Sequence, residues 1–132
     1  MTSYLDVSDS VIALIPVIPG WESRTFTGGV STGQSPPWIV ASFSEDGRST
    51  SEGGSVTSHS GKLDVRVVST SASSVGVACE RISSALDFAR PGHRVSQLVP
   101  DRDSGVYASE LTQPDTGIPY VMRVLTWRLA WN

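Results

Sequence analysis

The sequence contains a short pattern that could carry hydrolytic chemistry. Gly29-Val30-Ser31-Thr32-Gly33 matches G-x-S-x-G, in which the serine is the nucleophile of many hydrolases. That nucleophile needs a strand before the serine and a helix after it, and Pro36 and Pro37 follow too closely for a helix to form. We therefore interpret residues 29–33 as a turn-rich loop.

A second pattern is Asp115-Thr116-Gly117, the tripeptide in which aspartic proteases place one carboxylate of their catalytic pair. In those enzymes an apolar strand precedes the aspartate, whereas Gln113 and Pro114 precede it here. The sequence Pro-Asp-Thr-Gly is typical of a β-turn, which is the interpretation we adopt.

Residues that could bind a metal ion lack the required spacing. Asp101, Asp103 and Glu110 resemble part of an EF-hand loop, but Gly105 comes one residue early and no helices flank the segment, so a turn is predicted. His59 and His93 each stand apart from other ligands. We predict no metal site and no cofactor.

Cys79 lies on the apolar stripe of a predicted helix, where a buried and unreactive thiol is expected. No catalytic residue is predicted, and the sequence is not expected to encode an enzyme. An alternative stays open, a hydrolase that uses Ser31 with His59 or His93, because such residues meet only in space. Loss of ester or peptide hydrolysis in Ser31→Ala would test it.

Length and composition predict a single globular domain over residues 1–132. The chain is 39% hydrophobic and 17% charged, and its net charge of −3 disfavours a basic groove for sequence-specific nucleic-acid binding. The single cysteine allows no intrachain disulfide and favours a cytoplasmic origin. Pro16 interrupts the apolar run Val11 to Ile18, so neither a signal peptide nor a membrane span is predicted.

The hydrophobic periodicity predicts an α+β fold, a mostly antiparallel β-sheet packed against one long and one short α-helix. The short helix covers Val7 to Leu14, and the long helix covers Ser73 to Ala89. The predicted strands are Trp21 to Phe26, Trp38 to Phe43, Leu63 to Val67, Arg94 to Val99, Val106 to Leu111 and Tyr120 to Trp131, with a turn over Pro100 to Gly105.

Residues 44–60 are predicted to form a long polar loop between two strands, because Val56 is the only apolar residue among them. Loops of this length are uncommon inside compact domains. The segment is therefore either a flexible linker or an arm that becomes ordered on a partner, in the form of a hairpin that contacts it.

The last predicted strand, Tyr120 to Trp131, is largely apolar on both faces. Such a strand is either buried on both sides or buried on one side and docked to a neighbour on the other.

The order of these segments resembles the tail terminator family of long-tailed bacteriophages, in particular the small members from phages of high-GC Actinobacteria. The resemblance spans nearly the whole chain and rests on the N-terminal helix, the strand that begins Pro37-Trp38-Ile39-Val40, and the alternating strand from Leu63 to Val68. It also includes the Ser/Ala-rich turn into the long helix and the closing strand from Pro119 to Leu129.

The resemblance implies a structural virion protein at the head-proximal end of the tail, assembled in the host cytoplasm. Family members form a hexameric ring that caps the tail tube, ends tail polymerisation and provides the docking surface for the head. The implied partners are further copies of the chain, the tail tube protein and the head-tail connector, with DNA passing through the ring. Candidate residues for the subunit and tube interfaces are Tyr120, Met122, Trp127, Trp131, Asp46, Arg48 and Glu52.

Two other functions stay open at this point. Head-tail stopper or joining proteins share much of the same pattern of segments. A small non-viral domain that binds a protein partner through its sheet would also fit an α+β chain. For Trp127 in particular, a place in the core of the single chain and a place at an interface are equally compatible with the sequence.

Overall fold

The computed structural model describes residues 3–28, 35–92 and 94–132, and within these ranges the α+β class is confirmed. Two helices and a mostly antiparallel sheet of six strands form there. Their bounds are α1 Tyr4–Ile12, β1 Thr25–Thr27, β2 Trp38–Thr50, β3 Val56–Ser69, α2 Ala72–Leu86, β4 Val99–Asp103, β5 Tyr107–Thr112 and β6 Pro119–Trp131.

Both helices begin at a serine that caps their first turn. The Ser3 hydroxyl accepts a hydrogen bond from the Asp6 amide at 3.1 Å, and the Ser71 hydroxyl accepts one from the Ser74 amide at 3.2 Å. These caps start each helix slightly earlier than the apolar stripes predict. Helix α2 ends at Leu86 because Asp87 leaves the helical backbone conformation.

The sheet has the order β1-β2-β3-β6-β4, and β5 also pairs with β6. Strand β1 runs parallel to β2, whereas every other pair is antiparallel. Strand β6 pairs with β3 along one edge, so β4 and β5 share its other edge. The two longest antiparallel pairings therefore place β3 at the centre of the sheet, between β2 and β6.

The core lies between the helices and one face of the sheet. Phe43, Leu63 and Trp127 stand opposite one another across β2, β3 and β6 and belong to this face. The buried residues of α1 are Val7 and Val11, and those of α2 are Val75, Ala78, Cys79, Ile82 and Leu86. Helix and sheet residues form one hydrophobic cluster, and we call the opposite side of the sheet its outer face.

The prediction of a loop over residues 44–60 is wrong for most of that segment. Residues 44–50 belong to β2 and residues 56–60 to β3, so that only residues 51–55 form the turn. This hairpin continues two strands of the larger sheet, and backbone hydrogen bonds pair its strands, so its solvent-exposed part needs no apolar face. The absence of apolar residues therefore indicated exposure and not the absence of a strand.

The predicted turn over Pro100 to Gly105 is also wrong, because Val99–Asp103 forms strand β4. A bulge between Pro100 and Arg102 lets this edge strand include a proline. A strand was also predicted from Arg94 to Val99. In the structure, residues 94–98 form only one isolated β-bridge, between Val95 and Trp131, and β4 begins at Val99.

The predicted strand from Trp21 to Phe26 is shorter in the structure, since β1 covers only Thr25–Thr27. Trp21 precedes this strand and belongs to the hydrophobic core. Its apolar character therefore reflects burial of the connecting segment rather than membership of a strand.

Candidate interaction surfaces

Two of the predicted interface residues lie in the core of the single chain. Trp127 is only 2% exposed, and its indole Nε1–H donates a hydrogen bond to Asp87 Oδ1 at 2.8 Å. Trp131 is buried as well, stacks on His59 with the ring centroids 5.4 Å apart, and contacts Phe43. The sequence was compatible with Trp127 either in the core or at an interface, and the structure places it in the core.

The other two predicted residues of β6, Tyr120 and Met122, differ in burial. Tyr120 is buried, whereas Met122 is half-buried. Met122 lies opposite Val68, which in turn lies opposite Trp38, so the three side chains share one row on the outer face. Val68 at the centre of this row is buried, at 4% exposed, whereas Trp38 and Met122 on either side of it are half-buried. The row is a second apolar region, on the face of the sheet opposite the helices.

The row lines an open groove of about 560 Å³ on the outer face, which we call the sheet groove. Trp38, Val40, Val68 and Met122 contribute apolar side chains from the central strands, and β5 contributes Tyr107 and Leu111. Tyr107 and Leu111 are 44% and 46% exposed.

The sheet groove also contains one charge of each sign. Arg66 and Glu110 line it, and neither forms an ion pair with another residue in the described ranges. A partly exposed aromatic and aliphatic surface with unpaired charges is typical of a protein-binding surface.

A second groove lies on the helical side of the molecule, which we call the helix groove. Its volume is about 590 Å³, and it lies between Pro16 and Val17 after α1 and the solvent side of α2. Val77, Glu80, Arg81 and Ser84 line it from α2 at helical spacing, on the side away from the core. Val17 and Val77 expose more than half of their surface, 69% and 54%.

The predicted charged residues Asp46, Arg48 and Glu52 are all exposed on the hairpin formed by β2 and β3. Asp46 Oδ1 accepts a hydrogen bond from the Ser60 hydroxyl at 2.9 Å, which ties the two strands together beside a bulge. Glu52 lies in the turn at the tip. The structure brings Asp46 and Arg48 onto one strand but does not bring them to the sheet groove.

His59 lies within this hairpin, where its ring contacts two other side chains. Its Nδ1 is hydrogen-bonded to Glu45 Oε1, and its ring stacks on Trp131. The G-x-S-x-G segment and His93 lie outside the described residues, so the hydrolase alternative keeps its status as a hypothesis.

A bidentate ion pair joins β4 to β6. Arg123 Nε donates to Asp103 Oδ1 at 2.9 Å, and its Nη2 donates to Asp103 Oδ2. These hydrogen bonds lower the pKa of Asp103 to about 2 and raise the pKa of Arg123. Burial raises the pKa of the nearby Cys79 thiol to about 11, although the positive charge of Arg123 opposes this effect.

The remaining sequence patterns have structural roles. Asp115-Thr116-Gly117 forms the predicted turn, closed by a hydrogen bond from the Gly117 amide to the Gln113 carbonyl. The Asp101 carboxylate oxygens lie 3.9 Å from Lys62 Nζ and 3.7 Å from Arg128 Nε.

Across the described ranges, no three His, Cys, Asp or Glu side chains are grouped as metal ligands, and no helix has the length and apolarity to span a membrane.

Most residues of both grooves were not among the predicted interface residues. Trp38 and Val40 alternate with the core residues Ile39 and Ala41, and this double-sided apolar pattern could have indicated a second surface. Val77 lies between the buried Val75 and Ala78, where periodicity alone places it outside the apolar stripe.

Comparison of the chain with protein-family models and with curated proteins finds no match.

Proposed function

We propose that the protein is a structural virion protein that assembles into a ring, caps the tail tube of a long-tailed phage, ends tail polymerisation and provides the docking surface for the head. One observation carries this proposal: the outer face of the sheet has an apolar surface formed by the half-buried side chains of Trp38, Val40 and Met122. It is consistent with the order of segments from which the resemblance to tail terminators was drawn.

Exposure of apolar surface to water costs free energy. A chain with an aromatic and aliphatic groove on its surface therefore gains free energy when a partner covers that groove. If the partner is another copy and the contact is head to tail, successive copies close into a ring. The hexamer number comes from the resemblance alone.

In this proposal the hairpin contacts the tail tube protein. Residues 49–58 extend beyond the part of β3 that pairs with β6, because the last pair is His59 with Trp131. The projecting ribbon has polar and charged side chains, including Arg48 next to its base and Glu52 at its tip. Such a ribbon can form hydrogen bonds and ion pairs with a partner surface without burying core residues.

The further partners are the head-tail connector and the DNA that passes through the ring lumen without sequence-specific contacts. In this proposal the protein is assembled in the cytoplasm of the host and ends in the virion. A head-tail stopper or joining protein is the alternative within the same class.

A second candidate function is a domain that binds an extended peptide at the edge of its sheet. It is favoured by β2, whose pairing with β1 ends at Ala41 although the strand continues to Thr50. Within the described residues, no strand pairs with this edge of β2 beyond Ala41, and its backbone donors and acceptors could pair with an added strand. Tyr4 Oη already donates a hydrogen bond to the Phe43 carbonyl at this edge, at 2.7 Å.

Light scattering over about two decades of protein concentration, followed by negative-stain imaging, distinguishes these functions. A ring of six copies of the 14.1 kDa chain, about 85 kDa, would support the capping function. In a mixture with actinobacteriophage tail tubes, rings at the tube ends would favour a terminator over a stopper. A monomer at every concentration that also ignores tubes would contradict the proposal and favour the peptide-binding domain.

A further inference from the structure

The two grooves described above lie on opposite layers of the fold. The sheet groove opens on the outer face of the sheet, and the helix groove opens on the solvent side of α2. The core separates them, because the buried residues of α2 contact the other face of the same sheet. A single copy of the chain therefore cannot cover either groove with the other.

The two grooves have matching chemistry. The sheet groove has the apolar side chains Trp38, Met122 and Leu111, and the helix groove has Val17 and Val77. Both surfaces are partly exposed, so each loses contact with water when the two are brought together.

Their charges are complementary as well. Arg66 and Glu110 on the sheet groove and Glu80 and Arg81 on the helix groove form no ion pair with another residue in the described part of the chain. An arrangement that brings Glu80 towards Arg66 and Arg81 towards Glu110 pairs all four charges. Because each groove has one charge of each sign, two sheet grooves could also pair their own charges, but that contact would leave Glu80 and Arg81 unpaired.

We propose that the helix groove of one copy docks into the sheet groove of the next copy. Rotation about a twofold axis would pair sheet groove with sheet groove and leave every helix groove open. In a head-to-tail contact, every subunit covers its helix groove with one neighbour and its sheet groove with the other. All the interfaces are then of one kind. This inference rests on the proposed ring and specifies the surfaces that build it.

Two exposed residues allow the interface to be tested from each side. Leu111→Asp places a charge in the sheet groove, and Val77→Glu places one in the helix groove, both at positions with large exposed fractions. Leu5→Glu is the matched control, because Leu5 is 70% exposed on α1 and lines neither groove. Circular dichroism and tryptophan fluorescence report whether each variant folds, and Arg66→Glu replaces Leu111→Asp if that variant does not.

We expect each groove variant alone to be monomeric at a concentration where the wild type and Leu5→Glu form rings. An equal mixture of Leu111→Asp and Val77→Glu should form a dimer of twice 14.1 kDa, about 28 kDa, that grows no further. In that dimer the intact helix groove of the first variant meets the intact sheet groove of the second, and both remaining grooves are blocked.

Other outcomes overturn the inference. Loss of assembly in Leu111→Asp but not in Val77→Glu would indicate a twofold contact between sheet grooves. Rings from both variants would show that neither groove is the interface, while the ring itself would stand. A wild-type chain that stays monomeric would refute this docking and the proposed ring together.

Discussion

Replacement of Gly61 by alanine should destabilise the protein, although alanine is favoured over glycine in most strands. Gly61 lies in β3, opposite Glu45 on one side and Leu129 on the other. A Cβ atom at this position would lie 2.6 Å from the Ser44 carbonyl oxygen and 3.0 Å from Cζ3 of Trp131. A carbonyl oxygen in the neighbouring strand cannot rotate away as the end of a side chain can.

The magnitude follows from two opposing effects. Overpacking in an ordered interior costs about 1–3 kcal/mol. Alanine also restricts the unfolded chain more than glycine does, which stabilises the folded state by about 0.4–1 kcal/mol. We therefore expect Gly61→Ala to lower the free energy of unfolding by about 1–2 kcal/mol, which is roughly 3–8 °C in Tm for a chain of this size.

Two other glycines provide matched controls. A Cβ atom on Gly76, within α2, would meet no atom within 4 Å, so Gly76→Ala should raise the free energy of unfolding by about 0.5–1 kcal/mol. At Gly47 the new atom would meet only the Ser60 hydroxyl, at 2.8 Å, and this side chain can rotate. Gly47→Ala should therefore change the free energy by less than about 1 kcal/mol.

Urea unfolding followed by tryptophan fluorescence measures all four proteins. They must be compared at one protein concentration, because association with other copies stabilises the folded state. The reasoning is refuted if Gly61→Ala is as stable as the wild type, or if it loses no more stability than Gly47→Ala. An unchanged m-value would show that the difference comes from the folded state.

Three further predictions concern the ion pair, the thiol and the hairpin. The lowered pKa of Asp103, about 2 against 3.8 for an unperturbed group, contributes stability that is present above about pH 4 and is lost as pH falls towards 2. Because the Asp103 side chain is 46% exposed, this contribution is below about 1 kcal/mol, and Asp103→Asn should flatten the acid limb of unfolding measured by circular dichroism. Cys79 is 1% exposed and its pKa is near 11, so Ellman's reagent at pH 8 should label it only after urea unfolding, and rapid labelling of the folded protein would contradict its burial. Replacement of residues 49–58 by Asn-Gly should leave the unfolding midpoint nearly unchanged and weaken binding to tail tubes in a sedimentation assay, whereas a melted chain would assign the ribbon a role in folding.

Periodicity predicted those parts of the fold in which side chains decide the structure. The stripe from Val75 to Leu86 indicated α2, and the alternation from Leu63 to Val67 indicated β3. Periodicity did not show that residues 44–50 and 56–60 extend β2 and β3, since a polar ribbon has no apolar alternation; the hairpin over residues 44–60 was proposed only from its position between two strands. Strand β4 was missed for a related reason, because a bulge accommodates Pro100 at the edge of the sheet.

The surfaces were harder to predict than the elements. A tryptophan in an apolar strand has the same sequence pattern whether it fills the core, as Trp127 does, or lines an open groove, as Trp38 does. The difference depends on which strand lies beside it and on which face the helices cover. Both depend on pairings between distant segments, which local patterns do not encode.

The pairing of β3 with β6 has a consequence for the order in which the molecule folds. The hairpin of β2 and β3 joins neighbouring segments, whereas Asp64 receives a hydrogen bond from Thr126, sixty-two positions further along the chain. Loop-closure entropy therefore favours early formation of the hairpin and late insertion of β6. Until β6 inserts, β3 has an unpaired edge and Leu63 and Val65 lack their partners, so we expect the folding chain to be most prone to pair with another chain at this stage.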